Sequence, residues 1–204
     1  MKRFHEAKQR LAPGIDDERR AALAAAMLED VLEAIAAART IERTIVVTDD
    51  PVAQQLAADV GAEIVPDPGG GHVEAALAGI IRAEAEGATC VILLPGDCPL
   101  LEPRELDRLL TGMPERYVGI VPDRHGPGTN ALVLSPPDAI VPAFGEGSCA
   151  RHVAAAREAG IAFEVEELPS LGLDLDTPAD VIALTRKLAA RSSRARRTAK
   201  ALGI

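Results

Sequence analysis

The sequence predicts an α/β fold, a three-layer sandwich around a mixed, mostly parallel sheet. Three observations point there. Short β-branched or aliphatic runs alternate with longer Ala- and Leu-rich stretches of helical period. Several helical stretches close on a glycine, at Gly61, Gly87 and Gly160. CVILL (90–94) is apolar throughout, the pattern of a strand covered on both faces.

Each element has a local reason. Residues 18–38 carry apolar side chains at helical spacing behind a mostly acidic first turn, which suits a helix N-terminus. TIVVT (44–48) is a β-branched strand running into Asp49-Asp50-Pro51, a helix start. The helix over 51–60 stops at Gly61, and AEIV (62–65) is the second strand. Pro66 to Gly71 form a glycine-rich loop, followed by a helix over 72–87 and the strand CVILL. A helix over 102–112 precedes two strands, YVGIV (117–121) and ALVL (131–134), joined by another Gly-rich loop. A helix over 149–159, an alternating strand IAFEVEEL (161–168) and a helix over 178–190 complete the pattern. Repeated strand–helix–strand units argue for a doubly wound sheet, whose ligands collect at the carboxyl ends of the strands. We read one domain over 1–185 and a basic tail over 186–204.

Composition narrows the class. At 204 residues and 48% hydrophobic, the chain can build an ordinary core, and with 2% aromatics that core must be aliphatic. No apolar run is long enough for a membrane span, and no secretory signal is visible. Cys90, Cys98 and Cys149 are odd in number and form no C-x-x-C pair, so a reducing cytoplasm is expected. The net charge of −9 argues against nucleic acid as a partner. The tail is the exception: no acidic residue follows Asp180, and seven Lys or Arg lie in 186–204. We read it as a frayed, solvated helix.

Three acidic residues have the chemistry of a metal site. Asp97 lies just past CVILL in LLPGDCPL, with Pro95, Gly96 and Pro99 shaping its backbone. In GLDLDTPAD, Thr177, Pro178 and Asp180 form a helix-capping pattern, so Asp180 is structural. Asp174 and Asp176 remain, spaced to point to one side of an extended segment. With Asp97 they offer the hard oxygens that Mg²⁺ prefers when phosphates complete its shell.

Other segments could handle phosphate. Lys8 and Arg10 precede the first helix. In DRHGPGTNAL, Gly126 and Gly128 would let backbone N–H groups form an anion-binding concavity, and Thr129 and Asn130 add side-chain hydrogen bonds. FGEGSCARH is a glycine loop opening a helix at Ser148, a ready anion site. No G-x-x-x-x-G-K-[ST] and no G-x-G-x-x-G after a first strand are present, which excludes a P-loop NTPase and a dinucleotide-binding enzyme. The four histidines, His5, His72, His125 and His152, lack metal-ligand spacing and read as surface or loop residues, with only His125 near the site. The cysteines read as small packing residues.

AKQRL, VVTDD, LLPGDCPL, DRHGPGTNAL, FGEGSCARH and LDLDTPAD, in this order over about residues 2–183, resemble the 2-phospho-L-lactate or phosphoenolpyruvate guanylyltransferases of coenzyme F-420 biosynthesis. The resemblance implies a nucleotide-diphospho-sugar-transferase type of fold, lacking here the family's first strand, which would precede Met1-Lys2. It implies metal-binding acids at Asp97, Asp174 and Asp176 and phospho-substrate contacts at Thr129, Gly145 and Ser148. It also places Lys8 near a nucleoside triphosphate. The expected reaction is transfer of GMP from GTP to the phosphate of a small phospho-acid, with Mg²⁺ as cofactor and pyrophosphate leaving. Lys8 and Arg10 would neutralise charge on the pyrophosphate. Two rivals stand beside it: a molybdopterin guanylyltransferase or isoprenoid-precursor cytidylyltransferase, and a non-catalytic nucleotide-binding protein.

Overall fold

The computed structural model describes residues 16–175, 177–190 and 195–204. Its first helix, α1 (Asp17–Ala36), is capped by Asp16, whose carboxylate accepts the Arg19 N–H at 2.8 Å. β1 (Ile45–Val47) leads into α2 (Pro51–Asp59), where Asp50 accepts the N–H groups of Val52 and Ala53. Then follow β2 (Glu63–Val65), α3 (His72–Ala85), β3 (Val91–Leu93) and α4 (Pro103–Leu110). The second half runs β4 (Tyr117–Pro122), β5 (Thr129–Ser135), α5 (Ser148–Glu158), β6 (Ala162–Val165), α6 (Pro178–Ala190) and α7 (Arg196–Leu202).

The strands form two sets. β1 and β2 pair in parallel, and the other four are ordered β3-β5-β4-β6. β5 pairs antiparallel with both β3 and β4, while β4 and β6 are parallel, so β5 alone runs against its neighbours in that sheet. Helix α3 packs on β1, β2 and β3, and so spans the two sets.

Side-chain parity explains the three layers. Successive residues of a strand face opposite sides. Ile92, Val121, Ala131 and Val133 face a core closed by α1 and α4. Val91, Leu93, Val118, Ile120, Leu132 and Leu134 face the opposite core, closed by α3 and α5. That is the α/β sandwich expected from the sequence. A third cluster, with Leu23, Met27 and Leu32 of α1, packs Leu173, Leu175 and Leu184 against α2 and α6. It anchors the segment that carries Asp174.

The tail is not a frayed helix. α6 runs across residue 185, and α7 docks on α1. Asp30, 2% exposed, accepts the N–H of Thr198 at 2.9 Å and of Arg197 at 3.3 Å. The Arg197 guanidinium also pairs with Glu29 and Glu33. Arg197 of the tail therefore neutralises acids of the body. Asp30→Ala is expected to cost about 1–3 kcal/mol, the penalty for stripping a buried carboxylate from its donors. Urea unfolding checks the loss, and hydrogen exchange at the Thr198 amide should accelerate.

Candidate functional site

Because β5 runs antiparallel, its first residue lies beside the last residues of its neighbours. Pro122 opposes Thr129, and Leu93 opposes Leu132. The loop after β3, the β4–β5 loop and the start of β5 thus share one edge, where an α/β sheet collects ligands.

Two loops meet there at one carbonyl. The Asn130 side-chain amide donates to the Leu171 carbonyl at 2.6 Å, and the Cys98 thiol donates to the same oxygen at 3.6 Å. Cys98 follows Asp97, and Leu171 lies three residues before Asp174. The shared carbonyl therefore holds the two carboxylate-bearing loops in register. Asn130 is 9% exposed, so its described role is to brace the site. Asp97 and Asp174 are both half-buried. Among the described residues no three His, Cys, Asp or Glu side chains gather as a metal cluster. Asp97 and Asp174 carry hard carboxylate oxygens, the chemistry Mg²⁺ favours when phosphate oxygens complete its shell. Lys8, Arg10 and Asp176 lie outside the described residues.

The β4–β5 loop differs from the sequence expectation. Its concavity is filled from within by Asp123, whose carboxylate accepts the N–H groups of His125 at 2.9 Å, Gly126 at 2.6 Å and Gly128 at 3.1 Å. Gly126 and Gly128 therefore shape the loop around an internal anion. Asp-x-x-Gly turns favour this bonding, and that signal was available in the sequence. Arg124 reaches from the loop to Asp180, Nη2 to Oδ1 at 2.6 Å. Asp180 also accepts the Thr177 N–H at 2.7 Å, as the capping pattern requires, and the Thr177 hydroxyl at 2.8 Å. One carboxylate thus caps α6 and ties it to the β4–β5 loop.

Thr129 and Ser148 come together. The Ser148 hydroxyl donates to Thr129 Oγ1 at 3.1 Å, and the Cys149 N–H donates to the Pro127 carbonyl at 3.1 Å. Gly145 and Gly147, at φ 115° and 71°, adopt backbone angles that side chains resist. Arg151 folds over this loop. It donates to the carbonyls of Ala143 at 2.8 Å and Glu146 at 2.5 Å, and more weakly to Phe144 at 3.5 Å. In a trans peptide the N–H points opposite to its carbonyl. The N–H groups of Phe144, Gly145 and Gly147 therefore face away from the guanidinium.

His152 overturns its sequence reading. It is fully buried on α5, one turn beyond Ser148 and on the same face. Its Nδ1 lies 3.0 Å from Thr129 Oγ1, and its Nε2 accepts the Ala143 N–H at 2.8 Å. Phe144 packs edge-on against the ring. The i, i+4 spacing from Ser148 was the signal that could have found it. Burial, helped by the Arg151 charge, pushes its pKa from 6.5 down to about 4. The unfolded chain therefore binds the extra proton first. Stability conferred by the neutral ring should be full above pH 6.5 and fall as pH drops toward 4. Urea titrations across that window should show this loss, and His152→Gln should remove its pH dependence.

The chain is similar to proteins of known activity. Residues 1–203 match the family model described as guanylyl transferase CofC like. The chain belongs to this family. It is therefore a nucleotidyltransferase. A phosphoenolpyruvate guanylyltransferase of Conexibacter woesei is 48% identical over 202 residues, covering 97% of this chain and 90% of that one. A 3-phospho-D-glycerate guanylyltransferase of Phenylobacterium zucineum is 36% identical, covering 96% and 89%. Among solved structures, one described as a nucleotide-diphospho-sugar transferase from Desulfovibrio desulfuricans G20 superposes with a TM-score of 0.75. That likeness covers 98% of this chain and 93% of that one at 17% identity, and it shows the fold. The nucleotide-diphospho-sugar-transferase type of sandwich is thus the fold observed.

Proposed function

We infer that the protein transfers GMP from GTP to the phosphate of phosphoenolpyruvate. A phosphate oxygen of the acid attacks the α-phosphorus of GTP, the bond from that phosphorus to the bridging oxygen breaks, and pyrophosphate leaves with the electron pair. The observation that carries this reading is the Thr129–Ser148 hydroxyl pair beside the Gly145 loop, at the sheet edge that also holds Asp97. A small phospho-acid presents oxygens only, and hydroxyl and N–H donors match it.

Mg²⁺, held by Asp97 and Asp174 with Asp176 as a third ligand, would supply charge neutralisation between two anions. Asn130, through Leu171, keeps the first two carboxylates in place. Lys8 and Arg10 would offset charge on the departing pyrophosphate. No general base is required, because the attacking phosphate is already ionised. That agrees with His152, whose two ring nitrogens are both engaged. Three cysteines carried as thiols suit a reducing cytoplasm, and the motif resemblance suggests a step in coenzyme F-420 assembly.

The Phenylobacterium relative makes 3-phospho-D-glycerate the competing acceptor. Both acids, with 2-phospho-L-lactate, can be offered with GTP and Mg²⁺, and the guanylylated product identified by mass. Guanylyl-phosphoenolpyruvate as the main product supports the reading. A preference for phosphoglycerate would reassign the acceptor, and no product from any acid would reject guanylyl transfer.

A further inference from the structure

We propose that His152 is a positioning residue that makes the Thr129 hydroxyl an obligate hydrogen-bond donor toward the phospho-acid. This rests on the reading of Thr129 as a phospho-acid contact. The backbone N–H of Ala143 can only donate, so His152 Nε2, 2.8 Å away, must be the acceptor. The proton of the neutral ring then sits on Nδ1, which faces Thr129 Oγ1 at 3.0 Å. The Ser148 hydroxyl donates to the same oxygen at 3.1 Å.

A hydroxyl has two acceptor positions and one proton. With both acceptor positions of Thr129 Oγ1 filled, its proton has to be donated elsewhere. An ionised phosphate or carboxylate oxygen can only accept, so the hydroxyl is set for that partner before it arrives. With the ring N–H donating to Thr129, one proton of the hydroxyl pair is directed outward, and where Ser148 donates to Thr129 that proton is Thr129's. Burial keeps the ring neutral, and the Phe144 edge and the Ala143 N–H fix its rotation. Protonation would place two N–H groups head to head at Ala143 and break the chain of bonds at its first link.

His152→Gln separates positioning from packing. Glutamine can keep an acceptor for the Ala143 N–H but offers no donor where Nδ1 stood. The Michaelis constant for phosphoenolpyruvate should rise about tenfold, as for one lost oriented hydrogen bond, with that for GTP little changed. Combined with Thr129→Val, His152→Gln should add no further loss, because both remove the same donor. An unchanged constant for the acid in a folded variant, an equal rise for both substrates, or independent losses in the double variant would overturn the proposal. Nitrogen NMR of the wild-type ring near about pH 6 gives a second readout free of any folding defect. Protonation at Nδ1 alone is expected, and protonation at Nε2 or at both nitrogens would contradict it. Wild-type protein inactive with every phospho-acid would instead reject the guanylyl-transfer reading. The ring tautomer would still decide whether His152 donates to Thr129.

Discussion

Asp97→Asn should lower guanylyl transfer by at least about 100-fold, the scale of losing a metal-holding charge, with little change in thermal stability. The substitution keeps side-chain size and removes one negative charge. The local frame should survive it. Cys98 is fully buried, its thiol bonded to the Leu171 carbonyl, and Leu101 is fully buried in the core beneath α4. The defect should therefore appear in turnover, with its metal dependence shifted to higher Mg²⁺. Initial rates of pyrophosphate release over a Mg²⁺ series, beside melting curves, test both halves. Retained turnover in the folded variant would remove Asp97 from the site.

Gly128→Ala is the second large effect. A Cβ at this position would lie 2.3 Å from Asp123 Oδ2 and 3.0 Å from its Cγ. The carboxylate cannot yield cheaply, since three backbone N–H groups hold it. Expelling it strands those donors and displaces Thr129, the next residue. A loss of about 2–4 kcal/mol is expected, from overpacking plus unmade charge-assisted bonds. Transfer should fall more than tenfold because the Thr129 hydroxyl moves, on the scale of misplaced binding groups. Adding Asp123→Gly should recover part of the stability by removing the clash, and urea unfolding of the three variants reads this directly. A double variant no more stable than Gly128→Ala would place the damage elsewhere.

These effects divide along what the sequence made legible. The caps were readable because their signals are local. Thr177 and Asp180 bond as the T-P-A-D pattern predicts, and Asp50 opens α2 before Pro51. The position of Asp97 beyond β3 followed from a buried strand ending at Pro95-Gly96. The strand order β3-β5-β4-β6 was not readable, because long-range pairing leaves no local mark. It is this order, with β5 reversed, that sets Leu93 at the end of β3 opposite Leu132 of β5. The docking of α7 depends on Asp30 and Thr198, 168 residues apart, so the tail's charge alone suggested a solvated end. In the β4–β5 loop, glycines that permit an anion cradle do not say whose anion fills it, and Asp123 does. His152 was missed because its one sequence signal, the i, i+4 spacing from Ser148, gains meaning only once Ser148 is placed at the site. Its meaning comes from Ser148 one turn before and Thr129 across the fold.

In the proposed reaction, the edge with Asp97, Thr129 and Ser148 transfers a nucleotide to a phospho-acid. Pyrophosphate release from GTP and Mg²⁺, measured with and without phosphoenolpyruvate on the full chain, tests it most directly. Release should require the acid and match guanylylated product mole for mole. A folded chain that releases no more pyrophosphate with a phospho-acid than without one would contradict it.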